Sequence, residues 1–102
     1  MRVISVKEFD EYCKGLNNAC YVFSTDNQQS PTNNTLHISL RFNQIFVTLH
    51  PNVISLCGER SRITMRNVKH VCVFDDTPSI GVRVDIICRE YTKDIVYTFL
   101  ID

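Results

Sequence analysis

Glycine is scarce in this chain of 102 residues, which has only Gly15, Gly58 and Gly81. A phosphate-cradling loop needs clustered glycines to let backbone amides approach the ligand, and the chain has neither a Walker loop nor a G-x-G-x-x-G. G-x-S-x-G, H-E-x-x-H and C-x-x-C are missing too, which removes the familiar frames for a serine nucleophile, a zinc protease and a redox pair. No apolar run approaches the ~18–20 residues of a membrane-spanning helix. Met1-Arg2-Val3-Ile4-Ser5 turns polar without a secretory h-region. An excess of one charge is also lacking, because eleven basic residues balance eleven acidic ones. No overall field draws the chain towards nucleic acid or anionic lipid, so any such attraction has to come from a local patch.

The five cysteines, Cys13, Cys20, Cys57, Cys72 and Cys88, are odd in number and sit in apolar or strand-like contexts. Free thiols and a reducing, cytoplasmic setting are therefore expected. Asn33-Asn34-Thr35 matches the glycosylation sequon, a pattern short enough to arise by chance and without use outside the secretory route. The hydrophobic fraction is 44%, ordinary for one globular domain spanning 1–102. Near-zero net charge permits self-association.

The strongest local signal is a helix start. Ser5 and Glu8 form S-x-x-E, with Ile4 and Phe9 placed as a hydrophobic staple. Phe9, Tyr12, Cys13 and Leu16 then fall on one helical stripe, predicting a helix from Val6 to Leu16. From Ala19 the period becomes two. Tyr21–Phe23 reads as a short strand and 24–35 as a long polar loop; Leu36–Phe42 is a strand joined by a tight Asn43-Gln44 hairpin to Ile45–His50. Val53–Cys57, Ile63–Arg66 and Val68–Phe74 follow as short strands, with a turn at Gly58-Glu59 and a kink or bulge at Asn67. After the Asp75–Pro78 turn cluster, Ile80–Arg89 and Ile95–Ile101 complete the pattern, joined by a turn over Glu90–Asp94. The last strand is apolar on both sides, which places it centrally in a sheet or beneath another layer. The predicted class is α+β: one short N-terminal helix followed by about seven antiparallel strands forming a curled sheet, small barrel or sandwich.

Few constellations here suit chemistry. His70 and Cys72, two apart on a strand, share a face, and Cys57 or Cys88 could join them as zinc ligands. Cysteine is among the most buried residue types, however, so packing is its ordinary role. Cys57 beside the Gly58 turn, with His50 or His70 as base, is a possible nucleophile pair. Asp75-Asp76 offers adjacent carboxylates, although Asp before Thr-Pro more often opens a turn. The most informative cluster is basic: Arg60, Arg62, Arg66 and Lys69 place four of the eleven basic residues within ten positions. Arg60, Arg62 and Arg66 share one parity across a predicted hairpin, and guanidinium groups on a strand face grip phosphates or carboxylates. Aromatics suited to stacking are not interleaved in that hairpin, although Phe46, Tyr91 and Tyr97 are candidates for exposure elsewhere.

Asn52-Val53-Ile54-Ser55-Leu56-Cys57-Gly58 followed by Ile63-Thr64-Met65-Arg66-Asn67-Val68-Lys69 resembles hairpins of pleckstrin-homology-like barrels, over less than a quarter of the chain. That family ends on a helix, and this chain ends on strand-like residues, so no membership follows. Function is thus expected first in a non-enzymatic binding or inhibitory protein acting by protein contact, with another protein or a second copy as partner. Small stand-alone proteins of phages and mobile elements often work this way. The alternatives are a nucleic-acid-binding module using the arginine hairpin and an enzyme with an unrecognised Cys/His site. No cofactor, metal or membrane is called for.

Overall fold

The capping box sets the first element. Ser5 Oγ accepts the amide of Glu8 at 3.1 Å while the Ser5 amide donates to Glu8 Oε1 at 3.3 Å, and helix α1 (Val6–Lys14) starts there. The Gly15 amide donates to the Tyr12 carbonyl at 3.2 Å and closes the last turn. The apolar stripe is buried: Val6, Phe9 and Cys13 face inward, with Phe9 meeting the Phe99 ring edge-to-face at 6.4 Å.

The computed structural model describes residues 1–16, 19–27, 36–75 and 81–101, with 24–27 and 36–39 described by their backbone. Nine strands are present among them: β1 (Arg2–Ile4), β2 (Tyr21–Asn27), β3 (Leu36–Phe42), β4 (Gln44–Thr48), β5 (Val53–Cys57), β6 (Arg62–Arg66), β7 (Val68–Phe74), β8 (Val82–Glu90) and β9 (Lys93–Ile101). They form two antiparallel sheets, a large one ordered β1-β7-β8-β9-β2-β3 and a small one ordered β4-β5-β6. Neither closes into a barrel, so the barrel and curled-sheet expectations give way to two sheets and a helix around one core. Val71, Val73, Val84, Ile86, Phe99 and Ile101 enter that core from the large sheet, and Ile54, Leu56 and Met65 enter it from the small one. The helix touches both sheets, at β7 and β4.

Several expectations change. β1 is three residues long, too short to show a period, and is held by pairing Val3 with Cys72 at the sheet edge. β2 runs on to Asn27, through residues assigned from sequence to the loop, because β3 pairs with it in unbroken register from Tyr21↔Phe42 to Asn27↔Leu36. The rest of that loop, 28–35, including the sequon, lies outside the described residues, as does Asp76.

Asn43-Gln44 does not make a hairpin, since β3 pairs with β2 and β4 pairs with β5. A tight two-residue hairpin needs positive φ at its centre, and among the described residues only His50, Asn67, Tyr91 and Gly81 have it. The chain instead crosses from the large sheet to the small one at Asn43 and returns at Asn67, whose φ of 54° provides the expected kink. The bulge lies just beyond, where the β7–β8 register slips between Val68 and His70. β8 and β9 extend to Glu90 and from Lys93, so the turn shrinks to Tyr91-Thr92. The two-sided strand β9 is central, between β8 and β2. Gly58 opens the β5–β6 turn, and a Cβ there would stand 3.0 Å from the Arg41 carbonyl oxygen, a backbone atom with little room to yield.

Candidate functional site

The register of the small sheet produces a grid. Successive side chains on a strand alternate faces, so Ile45, Val47, Ile54, Leu56, Ile63 and Met65 go to the core and their neighbours go outward. Three rows face out: Gln44–Cys57–Arg62, Phe46–Ser55–Thr64 and Thr48–Val53–Arg66. Phe46 is 53% exposed, and together with Thr48, Ser55, Thr64, Arg62 and Arg66 it lines a shallow depression of about 410 Å³. Ser55 Oγ donates to Thr64 Oγ1 across the middle row at 3.5 Å.

This face carries no acid. β4, β5 and β6 contain neither Asp nor Glu, and among the described residues Arg60, Arg62 and Arg66 take part in no ion pair. Between Leu36 and Phe74 the sequence holds five basic residues and a single acid, Glu59. Charge balance over the whole chain therefore conceals a segregated distribution. Arg62 and Arg66 stand four residues apart on one strand, about 13 Å, with Thr64 between them. Arg60 sits in the turn at the Arg62 end.

Lys69 goes elsewhere. Its Nζ lies 3.1 Å from Asp94 Oδ2, and Arg89 reaches the same carboxylate at 3.5 Å. The hydrogen bond from Lys69, with the nearby positive charges, holds Asp94 below the usual carboxylate value of 3.8. Of the four sequence-selected basic residues, Arg62 and Arg66 thus line the depression, where Phe46 joins them, and Arg60 stays in the adjoining turn. The parity of Phe46 was visible, but its neighbours across the sheet depend on the order β4-β5-β6.

The other candidate groups do not converge. His70 and Cys72 lie on the outward face of the large sheet, opposite Ile87 and Asp85, whereas Cys88 points into the core and Cys57 belongs to the small sheet. Among the described residues no group of three His, Cys, Asp or Glu side chains is placed to hold a metal ion. Cys57 and His50 occupy opposite ends of the β4–β5 hairpin, and His70 lies in the other sheet. Asp75 accepts from Arg2 at 2.7 Å. All five cysteines are free, and burial pushes the Cys13 thiol up to about 12 and that of Cys88 to about 11, away from nucleophilic use at neutral pH.

No family model matches the chain, and no curated protein or solved structure matches it either. No helix among the described residues is long and apolar enough to cross a membrane.

Proposed function

We propose that this chain is a non-enzymatic binding protein that docks onto an anionic macromolecule through the outward face of its small sheet. The observation behind this reading is the grid of Arg62, Arg66, Thr64 and Phe46 with no carboxylate among its nine outward positions. Guanidinium groups without an ion pair among the described residues, beside hydroxyl donors, suit phosphate or carboxylate oxygens. Five free thiols fit a reducing compartment as the place of work.

Retention on immobilised heparin provides the test. Arg62→Ala with Arg66→Ala elutes at clearly lower salt than the wild type, while Lys7→Ala with Lys14→Ala, an equal loss of charge on α1, elutes close to it. Equal elution of the two double variants rejects the reading.

Protein contact through a second surface is also supported by one feature. The outward face of the large sheet exposes Val3 and Val96, at 58% and 54%. Sedimentation of the chain at micromolar concentration decides whether a second copy covers that face.

A further inference from the structure

We propose that the anionic ligand is a single-stranded nucleic acid, whose backbone lies over Arg62 and Arg66 and whose bases stack on Phe46 and Tyr91. This rests on the reading of the small-sheet face as an anion-binding surface, and names its occupant. A second groove of about 550 Å³ adjoins that face, and Thr64 and Arg66 line both. The far wall of the groove comes from the β8–β9 hairpin, with Tyr91, Ile95 and Tyr97 on it. A continuous path therefore leads from one exposed ring, across the Arg66 guanidinium, to two tyrosines.

Tyr91 is costly for folding and contributes nothing visible to it. It is 94% exposed, and its φ of 55° lies in the left-handed region that Gly or Asn enters far more readily. An aromatic ring held in water on a strained two-residue turn suits a flat partner that arrives from outside. The cations near it differ in availability. Arg89 is tied to Asp94 and the Tyr91 carbonyl, so Arg66 is the open cation of the groove among the described residues, and one carboxylate, that of Glu90, lines the hairpin side.

Alternation of cation and π-face is the pattern that recognises single strands, where phosphate and base repeat together. An acidic peptide offers carboxylates without a ring at each step. A duplex presents its bases inside grooves that admit a helix or a two-stranded ribbon, not a flat three-stranded face.

Fluorescence anisotropy with the full chain separates these partners, using 12-nucleotide single strands of RNA and of DNA, a DNA duplex and polyglutamate. Both Phe46→Ala and Tyr91→Asn are expected to weaken single-strand binding about tenfold. Their salt dependence stays that of the wild type, because no phosphate contact is lost. Phe46→Trp restores the affinity, and Arg66→Ala both weakens binding and flattens the salt slope. Binding of either sugar type supports the proposal, and the ratio of RNA to DNA affinity identifies the strand taken. Equal affinity for polyglutamate or duplex, or aromatic variants that bind like the wild type, overturns the single-strand assignment and leaves the anion-binding face standing. Failure of every polyanion to bind overturns both.

Discussion

The outward face of the large sheet and that of the small sheet handle charge in opposite ways. On the large sheet, Arg83 grips Asp85 with two hydrogen bonds of 3.1 and 3.0 Å, and Thr98 donates to the same carboxylate at 2.8 Å. The guanidinium also lies 4.7 Å from the centre of the Phe74 ring. Asp85 is 8% exposed, and a carboxylate so covered is tolerable only with such partners. On the small sheet, by contrast, Arg62 and Arg66 face water with no acid beside them among the described residues. Charge that is saturated within the molecule serves the fold, and charge left unsatisfied on an otherwise ordered strand is available to something else.

The largest expected effect breaks this contrast from the binding side. Arg62→Ala with Arg66→Ala lowers affinity for a polyanion about a hundredfold at low salt, from the loss of two charge-assisted contacts. Stability in urea shifts by only about 0.5 kcal/mol, as for other exposed substitutions. Asp85→Ala should do the reverse, costing about 2 kcal/mol in the same denaturation experiment because three hydrogen bonds to a charged group go with it, and leaving polyanion affinity alone. A variant of either face that moves both readouts equally would erase the distinction.

Ser5→Ala acts on neither face and calibrates the comparison. Loss of the capping box should destabilise the chain by about 1 kcal/mol, with affinity unchanged.

The smallest effect concerns Lys69, which sequence grouped with the arginines and geometry pairs with Asp94. Lys69→Ala should leave polyanion affinity near that of the wild type. Since Asp94 titrates below its ordinary value in the folded chain, its contribution is complete above pH 3.8, the ordinary value, and disappears as the pH falls through the lower folded one. Asp94→Asn therefore flattens the acid limb of a thermal-melting series, and an unchanged limb argues against the pair.

The helix was legible because its signals are local: a capping box, a staple and an apolar stripe all lie between Ile4 and Leu16. Strand faces were legible for the same reason, as with Val82, Val84, Ile86 and Cys88 pointing inward. What escaped depends on pairing. β1 and the far half of β2 owe their strand state to β7 and β3, partners remote in sequence or beyond a loop. Alternation alone does not distinguish a hairpin from a corner, so Asn43 was misread. Of the candidate site, the arginine parity was readable along one strand. The junction of Phe46 with Arg62 and Arg66 required two strand registers, and the proximity of Tyr91 required knowing where the second sheet lies.

The crossings at Asn43 and Asn67 enclose the small sheet within one uninterrupted stretch, from Gln44 to Arg66, while the large sheet collects its strands from both sides of it. All nine outward positions thus belong to a single cassette. Substitutions at those positions can change the chemistry of that surface without altering a hydrogen-bonded ladder of the large sheet, so surface and scaffold are free to diverge at separate rates.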